Sequence, residues 1–208
     1  MNMEVTNMPV GPLEVNCYLV WNPESKDGLI IDPGDDPEEI VDRVRELSIK
    51  PRAALLTHAH IDHIRGLGAV VAAFGCPAWV HAADLPLYRS PANALPPWLP
   101  AAEDLPAPAD QPPACPKGLE FAVIHTPGHS PGSCCFHFAA AAVLFAGDTL
   151  FAGSVGRTDL PGGDQQTLLN SIRQRLLGLP PDTRVYCGHG PETTISREIA
   201  GNPFLQPG

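Results

Sequence analysis

Apolar positions follow two rhythms along this chain. Short apolar runs, bounded by turn residues, predict buried strands at Val15–Trp21, 28–32, 53–56, 78–80, 121–124, Cys134–Phe138, 143–146 and Arg184–Cys187. Between them lie stretches with helical spacing. The first opens at Asp36-Pro37-Glu38-Glu39, with Asp36 expected as N-cap and Pro37 as the first helical residue. It sets Ile40, Val41, Val44 and Leu47 on one face. A second helix is predicted over 64–74, with Leu67, Val70, Val71 and Phe74 inward. A third covers 167–177, with Leu168, Leu169, Ile172 and Leu176 on one face, and residues 194–200 read as a closing helix. Asp32-Pro33-Gly34 reads as a turn. Strands and helices alternate in both halves, which predicts an α/β fold.

The pattern breaks over residues 86–116. That stretch is dense in proline and alanine and sparse in charge, and proline removes backbone donors. It reads as an irregular insertion within a single domain spanning 1–208, with Leu95, Trp98 and Leu99 available to pack over something. Two readings stay open for it, an active-site cover and an ordinary excursion.

Composition narrows the functional classes. A chain of 208 residues with 44% hydrophobic content can bury a core without help from a metal, so a metal site here is expected to be catalytic. The formal net charge is -10, and no Lys/Arg block is present, which argues against nucleic acid as a partner. The first ten residues lack a basic segment followed by an apolar one, and no apolar run reaches transmembrane length. A cytoplasmic location with no membrane partner is the expectation. The six cysteines form no C-x-x-C pair. Cys17, Cys134, Cys135 and Cys187 lie in apolar runs and are expected to be reduced and buried.

The chemistry concentrates at strand ends. Thr57-His58-Ala59-His60-Ile61-Asp62-His63 follows the apolar run 53–56 and offers three imidazoles and a carboxylate, the side chains that hold a divalent metal such as zinc. His129 follows the run 121–124 through Thr126-Pro127-Gly128, Asp148 follows 143–146 through Gly147, and His189 follows Arg184–Cys187 through Gly188. Each alone has a structural explanation: Asp62 as a helix cap, His129 as a turn residue, Asp148 as an Asx-turn former. Together, five histidines and two aspartates exceed what one tetrahedral ion requires. Two adjacent ions sharing a carboxylate would use all seven and would supply a hydroxide nucleophile near neutral pH.

These segments, with Thr126-Pro127-Gly128-His129-Ser130, Gly147-Asp148 and Gly188-His189-Gly190, resemble the metallo-β-lactamase-fold hydrolases in order and spacing. The resemblance runs from Asn16-Cys17-Tyr18 to Asn202-Pro203-Phe204. It implies a four-layer αββα sandwich with the metals at one edge of the sheets. Asp148 resembles the bridging ligand of the glyoxalase-II type, where many true metallo-β-lactamases carry cysteine or serine. Gly156-Arg157-Thr158-Asp159 is similar to both the glyoxalase-II-like and persulfide-dioxygenase-like branches. The tail Gly188-His189-Gly190-Pro191-Glu192-Thr193-Thr194 most resembles short, single-domain bacterial glyoxalase-II-like proteins.

Carried over by position, the resemblance implies a first metal site of His58, His60 and His129, and a second of Asp62, His63 and His189, with Asp148 bridging. Zinc is the first expectation, with iron or manganese as alternatives. Asp62 is also expected to be catalytic, orienting the attacking hydroxide or accepting its proton. Asp159 is open between orienting a ligand histidine and pairing with Arg157. The implied reaction is hydrolysis of an S-(2-hydroxyacyl)glutathione-type thioester, a small-molecule substrate typified by S-lactoylglutathione. A mononuclear-iron persulfide dioxygenase using His58, His129 and Asp148, or a lactonase-type hydrolase, are the alternatives. Long-form glyoxalase II adds a C-terminal helical domain with basic contacts to glutathione. This sequence ends at Gly208, which leaves glutathione open as the acyl carrier.

Overall fold

The computed structural model describes residues 3–102 and 105–206. Strands β1 (Glu4–Val10), β2 (Val15–Trp21), β3 (Asp27–Ile31), β4 (Lys50–Leu55) and β5 (Ala78–Trp79) form one mixed sheet in that spatial order. The second sheet contains β6 (Ala122–His125), β7 (Cys134–Phe138), β8 (Val143–Gly147), β11 (Arg184–Cys187) and β12 (Thr193–Thr194). Its order is β12-β11-β8-β7-β6, with β8 and β11 parallel. Between β8 and β11 in sequence, β9 (Leu150–Phe151) and β10 (Ser154–Val155) make a small hairpin.

The period-two alternation of strand side chains builds the layers. On β2, Tyr18 and Val20 face Phe136, Phe138 and Phe145 of the opposite sheet and close the central core. Their neighbours Cys17, Leu19 and Trp21 point the other way, onto Ile40, Val41 and Val44 of helix α1 (Pro37–Glu46). Helix α2 (Ile61–Ile64) and helix α3 (Leu67–Phe74) follow β4, and helix α4 (Leu85–Tyr88) follows β5. The outer face of the second sheet packs Cys135, Leu144 and Val185 against Leu168 of helix α5 (Gln165–Ser171) and Ile195 of helix α6 (Ile195–Gly201). The result is the αββα sandwich, with β2 buried along its whole length as a strand covered on both faces must be.

The local elements differ from expectation in places that have physical reasons. Asp36 stands at the N-cap position of α1 but does not cap it, because its residue is in the left-handed region at φ 45°. Its carboxylate instead accepts the Gly11 N–H at 2.8 Å. The helix expected over 64–74 begins only at Leu67, because Ile64 is the last residue of α2. Gly66 N–H leaves the helical ladder to bond Pro33 C=O at 3.0 Å, tying this segment to Asp32-Pro33-Gly34, which is irregular rather than the expected turn. The helix expected over 167–177 starts earlier, with Asp164 accepting the Thr167 N–H at 2.7 Å, and its second half, Ile172–Leu176, widens into a π-helical turn. Residues 86–102 of the proline-rich stretch are more ordered than their composition suggests. Leu95 and Leu99 pair backbone to backbone and bury their side chains among Leu56, Ile61 and Leu67, whereas Trp98 at the turn between them is 64% exposed rather than packed. Cys17, Cys134, Cys135 and Cys187 are free and buried, as expected. Among the described residues no helix is long and apolar enough to cross a membrane.

Phe136 is fully buried at the centre of the inter-sheet core. Phe136→Ala is expected to lower unfolding stability by about 3–5 kcal/mol, measured by denaturant titration. A loss below about 1 kcal/mol would show that the sheets do not depend on this contact.

Candidate metal centre

Four strand ends deliver the site. β4 leads through Thr57 to His58 and His60, and the single turn of α2 carries Asp62 and His63. Those four residues, Asp62 included, are buried, and Asp62 makes no capping bond to α2. His129 lies in the β6–β7 turn, Asp148 follows β8, and His189 follows β11. Gly147 adopts φ 47°, which bends the chain so that Asp148 turns toward the other ligands. A Cβ on Gly188 would collide with Asp148 Oδ1 and crowd His63 Cε1, so only glycine lets β11 approach this closely.

All seven residues singled out by sequence come together. The nitrogens of His58, His60 and His129 converge: His129 Nε2 lies 2.9 Å from His60 Nδ1 and 3.1 Å from His58 Nε2. Asp62, His63 and His189 form a second group, with His189 Nε2 3.1 Å and His63 Nε2 3.8 Å from Asp62 Oδ2. Asp148 stands between them. Its Oδ1 is 3.4 Å from His63 Nε2, and its Oδ2 is 3.6 Å from His129 Nε2 and 3.8 Å from His189 Nε2.

The far side of most imidazoles is anchored. His63 Nδ1 donates to Asp32 Oδ2 at 3.0 Å, His129 Nδ1 donates to Arg157 C=O at 2.7 Å, and His189 Nδ1 donates to Leu13 C=O at 3.0 Å. His58 Nδ1 lies 3.1 Å from Thr57 Oγ1. In the neutral imidazole, each such bond leaves the opposite nitrogen with its lone pair toward the centre.

Three polar residues that the sequence did not single out hold this arrangement. Asp32, 2% exposed and in the left-handed region, accepts from Thr57 N and Oγ1 at 2.7 Å each as well as from His63. Asp84, fully buried, accepts from Ala59 N at 3.0 Å and Ser130 Oγ at 2.7 Å, and from Gly132 N. It fastens the His58–His60 loop to the His129 loop. Asn16 donates to Cys187 C=O at 3.0 Å and Gly190 C=O at 2.9 Å, bracing the turn that carries His189. A polar residue directly after the apolar run of β3 was the available signal for Asp32. Asp159 does not orient a histidine: its carboxylate takes two 2.7 Å bonds from the Arg157 guanidinium, and it is the Arg157 carbonyl that serves His129.

Electrostatics divide the centre into two halves. Burial and the neighbouring imidazoles push His58 well below its ordinary value, and burial with His129 takes His60 down to about 3. Both are neutral and offer lone pairs. Burial opposes charge on His63 as well, but Asp62, Asp148 and Asp32 outweigh it and hold that imidazole well above its usual value. Asp62 and Asp148 are lowered despite burial, chiefly by His63. Carboxylates this enclosed call for positive charge, which a proton on His63 supplies in part and a divalent cation would supply in full. His60 Nε2, His63 Nε2 and Asp148 Oδ1 are buried without a hydrogen-bond partner.

The donor set fits divalent metal. Nitrogens bound tetrahedrally at about 2.0–2.1 Å stand about 3.3–3.4 Å apart, within a few tenths of the spacings between these imidazoles. The centre opens into a cavity of about 420 Å³, walled by Leu13, Leu95, Phe151 and Leu160.

This fold and site define a metal-dependent hydrolase. The sequence model of the metallo-beta-lactamase superfamily matches residues 10–189, and the chain belongs to that superfamily. Similar proteins cover it end to end. The hydroxyacylglutathione hydrolase GloC of Haemophilus influenzae is 39% identical, with 99% of this chain and 98% of that protein aligned. The crystal structure of BLEG-1 B3 metallo-beta-lactamase superposes with a TM-score of 0.87 at 41% identity, covering 98% of this chain and 100% of that one. TTHA1623 in a di-iron-bound form gives a TM-score of 0.85 at 42% identity, covering 96% and 100%.

Two substitutions test the supports. Asp32→Ala frees His63 Nδ1 and is expected to weaken metal affinity about 10–100-fold, read by competition with a chelator. Unchanged affinity would remove Asp32 from the site. Asp84→Ala strands two buried backbone N–H groups and is expected to cost about 2–5 kcal/mol of stability, read by denaturant unfolding. A change within about 0.5 kcal/mol would show that the loops are held without it.

Proposed function

We propose that this protein is a glyoxalase-II-like thioesterase that cleaves S-(2-hydroxyacyl)glutathione-type thioesters. The observation that carries the reading is Asp148, an aspartate whose two oxygens face nitrogens of both ligand groups. The full-length similarity to a hydroxyacylglutathione hydrolase supports it. His58, His60 and His129 would hold one divalent ion and Asp62, His63 and His189 a second, with Asp148 as the carboxylate shared between them. Zinc is the metal we assign. The di-iron form of TTHA1623 supports iron as the alternative. Bound there, the ions lower the pKa of water and polarise a carbonyl oxygen.

The chain's own groups do the rest. Asp62, its side chain 8% exposed and lining the cavity, accepts the proton of the attacking water. The water oxygen bonds to the carbonyl carbon, the C–S bond breaks, and the thiolate leaves with the electron pair. A thiolate is a weak base, so its departure needs little acid assistance. The apolar walls shield the reacting carbonyl from bulk water. A cavity of about 420 Å³ and a formal charge of -10 suit a small molecule rather than nucleic acid.

The similarity to BLEG-1 favours a second reading, β-lactam hydrolysis. Purified protein with two metals per chain is expected to cleave S-lactoylglutathione, followed by thiol release. Absence of thioester cleavage, with turnover of a cephalosporin, a lactone, or glutathione persulfide plus oxygen instead, would replace the proposal with that chemistry.

A further inference from the structure

The cavity above the metal centre says how the substrate is held, an inference that rests on the thioesterase reading. Its walls come from separate parts of the chain: Leu13 between β1 and β2, Leu95 from the proline-rich stretch, Phe151 on β9, and Leu160 after β10. Leu95 is 9% exposed and fixed by backbone pairing with Leu99. The wall is also tied to the ligands, since the Leu13 carbonyl holds His189. An apolar group placed against it is thereby registered relative to the reacting carbonyl.

Charge is arranged differently. Among the described residues lining this cavity, Arg157 is the one Lys or Arg. Its Nε and Nη2 are both engaged by Asp159 at 2.7 Å, in the bidentate geometry a substrate carboxylate would otherwise take. The guanidinium hydrogen bonds hold the Asp159 carboxyl down to about 2, so Asp159 stays ionised across the neutral range. A carboxylate tethered two residues away competes with a free one at an effective concentration on the order of millimolar. An anionic carrier therefore meets a guanidinium whose charge is already offset by Asp159 and whose Nε–Nη2 edge is occupied.

We infer that the site recognises its thioester through the apolar wall centred on Leu95 and is indifferent to the carboxylates of the thiol carrier, which Asp159 masks from Arg157. The substrate class is then thioesters of small thiols at large, charged or neutral, with an apolar segment beside the sulfur. Leu95 and Asp159 are specificity-determining positions.

Calorimetric binding of two unhydrolysable thioethers to the metal-loaded protein tests this without relying on turnover. The probes are S-hexylglutathione, with two carboxylates, and S-hexyl-N-acetylcysteamine, with none. The expected Kd values agree within about threefold, and Leu95→Asn weakens both by about tenfold, as loss of an apolar pocket contact does. Asp159→Asn unmasks Arg157 and is expected to favour the glutathione probe selectively by about fivefold, the size of one exposed ion pair. A preference above about thirtyfold for S-hexylglutathione in the unaltered protein would overturn the inference. So would failure of either probe to bind, or an Asp159→Asn variant that gains nothing for the charged probe. Lactoyl thioesters of the same two thiols, assayed in parallel, separate the two levels. Loss of turnover on both with normal thioether binding refutes the thioesterase reading alone.

Discussion

The buried carboxylate of Asp84 is the interaction on which the site depends. The His58–His60 loop belongs to one sheet and the His129 turn to the other, and Asp84 bonds backbone or hydroxyl donors in both. Cys134 N–H adds a direct bond to Thr57 C=O at 2.8 Å between the same two segments. Without such ties, the sandwich would fix the sheets only through apolar packing, which is not directional. Metal ligands must be placed to a few tenths of an ångström, and hydrogen bonds supply that precision. Asp84 has no cationic partner among the described residues. Burial raises its pKa, and the bonds from Ser130, Gly132 and Ala59 act against that shift.

The same logic extends outward. Asp32 and the carbonyls of Leu13 and Arg157 each accept from a histidine whose other nitrogen faces the centre. Those anchors fix the ring orientations before any ion arrives, so binding does not have to turn the rings. The loops that provide the carbonyls also provide cavity residues, so ligand placement and substrate contact are built from the same turns. The close approach at Gly188 completes the geometry, because a side chain there would displace Asp148.

Much of this was legible in the sequence, and the limits of legibility have a physical pattern. The seven histidines and aspartates stood out because each follows an apolar run and metal chemistry needs those side chains. Most strands and the outer helices followed from apolar periodicity, whereas the two-sheet sandwich was implied only by the family resemblance. Asp84 was not legible, since its donors lie 25 to 48 residues away and nothing local marks it as buried. Asp32 looked like a turn former, but the chain there is irregular and the fold turns its carboxylate onto Thr57 and His63. Asp36 looked like a helix cap until tertiary contact with Gly11 claimed its side chain. The π-helical turn at Ile172–Leu176 and the break at Gly66 arise from packing and long-range bonds rather than from propensity. The proline-rich stretch gave no periodic signal, because its order comes from Leu95 and Leu99 docking onto a distant cluster.

The central claim is that seven side chains form one two-ion centre bridged by Asp148. Elemental analysis combined with anomalous diffraction from crystals of the protein as isolated tests it most directly. Two ions per chain are expected, one among His58, His60 and His129, the other among Asp62, His63 and His189, both in contact with Asp148. A single ion held by His58, His129 and Asp148 alone, with Asp62, His63 and His189 uninvolved at saturating metal, would contradict it.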